Sequence, residues 1–73
     1  MAKSKKKPVV DVRFERISPF MVQAFILTDR GQEWSSEHIP MDAGWMGTKS
    51  FAGGLQEMYE ISQGMVADGL VIE

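Results

Sequence analysis

His38 is the only histidine in the 73-residue chain, and Ser35, Ser36 and Glu37 stand just before it. Nucleophilic catalysis uses these residue types, a hydroxyl beside an imidazole that a carboxylate orients. Here they come without the elbow or the spacing that brings such groups into register. One histidine and no cysteine make a poor zinc site, because carboxylates alone would have to complete the ligand shell. The run "GTKS" at 47–50 ends like a phosphate-binding loop, but that loop needs a glycine directly before its lysine, and Thr48 stands there. The carboxylates are scattered, and Glu57 and Glu60 share the wet face of an expected helix. The residues point away from an enzyme and call for no cofactor and no metal.

What remains is adhesive chemistry. In "MDAGWMGTKSFAGG", residues 41–54, Gly44 and Gly47 bracket Trp45 and Met46. Two roles fit. Trp45 can fold back as a lid on the core, which a domain this small needs. Alternatively, Met41, Trp45 and Met46, with Trp34, form a partner-binding set, since tryptophan anchors interfaces and methionine adapts to them. The lid is the preferred role for Trp45.

These residues need elements to hold them. "VVDVRFERI" alternates Val10, Val12 and Phe14 with Asp11, Arg13 and Glu15, the period of a half-buried strand. After a break at "SPF", "MVQAFILTDR" predicts a second strand paired to the first as a hairpin. Val22, Ala24 and Ile26 fall on one of its faces and Met21, Phe25 and Leu27 on the other, so it belongs in the middle of a sheet. "DRGQ" at 29–32 predicts a turn around Gly31, and "EWSSEHI" a weaker strand beside the second. From Ser50 the period becomes helical. Phe51, Gly54, Leu55, Met58, Tyr59, Ile61, Ser62, Met65 and Val66 fall within about half of the helix circumference. Thr48 or Ser50 is the expected N-cap and Gly69 the left-handed C-terminal residue. "LVIE" predicts a short last strand.

The fold class that follows is α+β: a small antiparallel sheet of three to four strands with one C-terminal amphipathic helix packed on it. One helix covers one face, so Met21, Phe25 and Leu27 need another cover. The choices are Trp34, Trp45 or a second copy of the chain, and a homodimer is the expectation. It would pack through Met21, Phe25 and Leu27, or through the Gly54 and Met58 region of two helices.

Composition bounds the rest. With 44% hydrophobic and 25% charged residues, the chain reads as an ordinary soluble globular domain with a thin core and no disulfide to staple it. The start lacks a signal-peptide hydrophobic stretch and no run is long enough for a membrane span, so a cytoplasmic protein is expected. Residues 1–7 form a basic arm, expected to be disordered, that carries Lys3, Lys5, Lys6 and Lys7 for +4; residues 8–73 form one domain carrying −6. This division supports two functions. The first is a small non-catalytic protein that binds and modulates or inhibits a larger macromolecule; size and charge suit accessory proteins of mobile elements. The second is nucleic-acid binding through the four lysines, with Arg13 and Arg16 assisting and the acidic body opposing.

Overall fold

The computed structural model describes residues 9–73, so the arm of lysines lies outside the described residues. Five elements follow in order: β1 (Val12–Ser18), β2 (Met21–Ile26), α1 (Asp29–His38), β3 (Ser50–Gly54) and α2 (Leu55–Ala67). The strands form one antiparallel sheet in the order β1-β2-β3, and the last helix packs on it. The class is α+β. The strand whose two faces are both apolar, β2, occupies the centre of the sheet, where neither edge is free.

Two short segments widen the sheet. Residues 71–73 run parallel to β1: Asp11 N–H donates to the Val71 carbonyl (2.8 Å), Phe14 N–H to Glu73 (2.9 Å), and Glu73 N–H to Val12 (3.1 Å). A parallel neighbour needs a crossover, and α2 supplies it. On the opposite edge, Trp45 pairs antiparallel with Phe51, and Met46 N–H donates to the Ser50 carbonyl.

Three expectations are corrected. "EWSSEH" is helical, part of α1, and not a strand beside β2. "DRGQ" is that helix's first turn, and Gly31 is there for a close approach: a Cβ would lie 2.7 Å from the Asp11 carbonyl oxygen. Thr28 is the N-cap, its hydroxyl accepting the Gly31 N–H at 3.1 Å, an arrangement worth about 1 kcal/mol. Finally, Ser50–Gly54 is a strand, and α2 begins at Leu55 with Gly54 as its cap. The helix ends where expected, with Gly69 at φ +92.

The core consists of Val12, Ala24, Ile26, Ile39, Phe51, Met58, Met65 and Leu70. From α2 only Met58 and Met65 are buried, with Ile61 and Ser62 half-buried; Leu55, Tyr59 and Val66, expected in the buried stripe, are exposed. A sheet three strands wide receives a narrower stripe than half the helix circumference. The N-terminal ends of β1 and α1 are tied by Asp11, which is 3% exposed. Its carboxylate accepts the Thr28 hydroxyl (2.6 Å), the Val71 N–H (2.8 Å) and the Arg30 guanidinium (3.1 Å). Burial pushes this carboxyl up, and the hydrogen bonds from Thr28 and Val71 with the Arg30 charge outweigh it, leaving it below its ordinary value.

Candidate interaction surface

Register decides which face each strand residue serves. On the helix side stand Val12 and Phe14 of β1, Val22, Ala24 and Ile26 of β2, and Phe51 and Gly53 of β3. Both helices lie on this side. The Gly31 backbone of α1 meets Val12 and Ile26, and Met58 of α2 meets Gly53. Alternation sends the other residues to the opposite face, which no helix covers among the described residues.

That open face has an orderly pattern. One row across the strands reads Arg13, Phe25, Ser50; the next reads Glu15, Gln23, Ala52; a third pairs Met21 with Gly54. Met46 extends the first row, because it sits opposite Ser50 just as Trp45 sits opposite Phe51. Leu27 (53% exposed) stands at the end of β2, and Met46 is 52% exposed. The Arg13 guanidinium lies 5.2 Å from the Phe25 ring centroid, a cation–π contact worth about 0.5–1 kcal/mol at such a site. Gln23 donates to the Ser50 hydroxyl at 3.2 Å. The surface is mixed: Phe25 and Met21 lie on either side of Gln23 along β2, with one base and one acid along β1.

The structure thus draws Met21, Phe25, Gly54 and Met46 onto one face, leaves Leu27 past the end of β2 beside the start of α1, and sends the others elsewhere. Trp45 is half-buried on the core side, its ring 5.1 Å from Phe51 and its indole N–H donating to the Pro40 carbonyl at 2.9 Å. Trp34 also packs on the core, with its N–H on Asp68 at 2.7 Å. Neither tryptophan covers Met21, Phe25 and Leu27. Met58 is 2% exposed; its side chain is buried within the chain's own core, so the helix-to-helix contact through Gly54 and Met58 loses its larger member. Met41, 88% exposed, borders a separate groove of about 250 Å³ with Gln32, Ser36 and Trp45. The helical period read from Ser50 conceals Ser50 and Ala52 as members of this face, and it assigns Gly54 to a helix-to-helix contact instead.

Other residues that could do chemistry do not assemble. His38 stacks on Trp34 at 4.1 Å, places Nδ1 2.8 Å from the Trp34 carbonyl and Nε2 3.9 Å from Asp68. Ser35 is buried on the same helix, and its hydroxyl has no partner among the described residues. Among those residues no three acids or histidines gather to hold a metal. Lys49 and Ser50 lead into a strand, whereas a phosphate-binding loop leads into a helix. Arg13, Arg16 and Arg30 occupy three separate places. Arg13 lies on the open face, Arg16 donates to the Pro19 carbonyl in the β1–β2 turn, and Arg30 is paired with Asp11. No helix among the described residues is long and apolar enough to cross a membrane.

Compared with protein-family models, with curated proteins and with solved structures, the chain matches none of them.

Proposed function

We propose that this chain is a non-catalytic interaction module, a protein-binding domain that modulates or inhibits a larger macromolecule by occupying part of its surface. The open sheet face is the contact. One observation carries the reading: both helices lie on the same side of the sheet, leaving Met21 and Phe25 of β2, with Met46 on the neighbouring segment, on the side without a helix. Apolar side chains interspersed with polar ones on a face that no helix covers suit a protein–protein contact. Changes on such a face cost the fold less than changes in the core, so binding and stability can be measured separately.

The test immobilises the full chain, a Phe25→Ser/Met46→Ser variant and a Trp45→Ala variant, and compares by quantitative mass spectrometry what each retains from a lysate of the producing cells. The expected result is a set of proteins held by the native chain and lost by the double variant, with unchanged circular dichroism. Identical retention by both would remove the open face from consideration.

A further inference from the structure

A second groove lies apart from the open face, between α1 and the loop that carries Trp45. It has a volume of about 250 Å³ and is lined by Gln32 and Ser36 of α1 and by Met41, Trp45, Gly47 and Thr48 of the loop. From these groups we propose that it is a slot for a single nucleobase, stacked on the Trp45 ring and hydrogen-bonded along its edge by the Gln32 carboxamide. The platform is fixed before any ligand arrives. The Trp45 indole N–H donates to the Pro40 carbonyl at 2.9 Å and its ring rests 5.1 Å from Phe51. Backbone bonds from Met46 N–H to the Ser50 carbonyl and from Ala52 N–H to the Gly44 carbonyl hold the segment to β3. Met41, 88% exposed and outside the core, supplies an unbranched thioether that adapts to a flat ring.

The lining selects the ligand by elimination. None of its six residues carries a charge, so an ion would enter without a counter-charge. A purely apolar side chain would strip water from the Gln32 carboxamide and the Ser36 and Thr48 hydroxyls without replacing it. Gln32 Nε2 lies 3.5 Å from the Ser36 hydroxyl, a contact too long to hold the amide against a better partner. What fits is flat, apolar on its faces, and both donor and acceptor at its rim, which is the chemistry of a nucleobase. A carboxamide pairs two-pronged with N6 and N7 of adenine, and bases stack on aromatic side chains. The volume falls below the ~300–1,000 Å³ of sites for drug-sized ligands, so one base enters. Gly47, with nothing within 4 Å of where a Cβ would stand, leaves the mouth clear for the attached sugar.

NMR titration of the full chain with adenosine, uridine, adenosine monophosphate and a short oligoadenylate, at ~0.15 M salt, tests this. Adenosine is expected to move the amide signals of residues 32, 36 and 41–48 and to approach saturation at about 1 mM. Gln32→Leu and Met41→Ala, with unchanged circular dichroism, should each weaken binding about fivefold or more. Gln32→Leu should also erase the preference for adenosine over uridine, and Met46→Ser, on the other side of the same segment, should bind as the native chain does. Equal affinity for adenosine and the oligonucleotide assigns the base to a free nucleoside or nucleotide. Tighter, salt-sensitive binding of the oligonucleotide that still depends on Gln32 and Met41 assigns it to a single strand. No shift at about 10 mM adenosine, shifts that map outside the groove, or Gln32→Leu and Met41→Ala chains that bind like the native one would each overturn the slot. None of these outcomes bears on the open face, whose test reads Phe25 and Met46 together.

Discussion

At the residue scale, Asp11 and Gly31 carry the sharpest consequences. Asp11 has a lowered carboxyl pKa in the fold, so its stabilising effect is fully present above its unfolded value of about 4 and is lost as pH falls through the lower folded value. Urea melts of the native chain should show falling stability below about pH 4, and Asp11→Asn should flatten that dependence while costing about 1–3 kcal/mol at neutral pH. Gly31 is a second fixed point. A Cβ there meets the Asp11 carbonyl oxygen at 2.7 Å and the buried methyls of Val12 and Ile26 at 3.1 and 3.3 Å, which leaves little room to yield. Gly31→Ala is expected to destabilise by about 1–3 kcal/mol, where an exposed helix position would have gained from the change. Sequence alone placed Gly31 in a turn, because a glycine's need for space and its need for unusual angles look identical in one letter.

At the element scale, what was legible followed the strength of the repeating pattern. β1 and β2 alternate cleanly, and their pairing, the central place of β2 and the docked α2 could all be read. α1 could not, since its buried residues are Gly31 and Ser35 and carry no apolar stripe. The Thr28 cap and the Asp11 network hold it in place of hydrophobic periodicity. β3 was hidden for another reason: it runs into α2 without a linker, and Phe51 and Gly54 fall by coincidence on the helix's apolar side. The short segment around Trp45 adds a prediction at this scale. Trp45→Ala should cost about 3 kcal/mol in thermal or urea unfolding, as loss of a large core-packed aromatic does, whereas Met46→Ser on the other face should change stability by less than about 0.5 kcal/mol. Equal effects would mean that the segment does not pair with β3 as described. Of the candidate surface, Met21 and Phe25 were legible because they alternate on a recognised strand, and Gly54 was named but on a helix; Ser50 and Ala52 were not legible, because small residues leave no hydrophobic signal.

At the scale of the whole molecule, two layers are joined on one side only. The thin core leaves stability dependent on a few cross-links between distant parts of the chain. The Asp11 carboxylate joins residues 28–30 to Val71, 60 positions away in sequence. Fraying of residues 71–73 would bare the outer edge of β1 and take one donor from the buried acid, so local opening at this end exposes a strand edge and a buried carboxylate together.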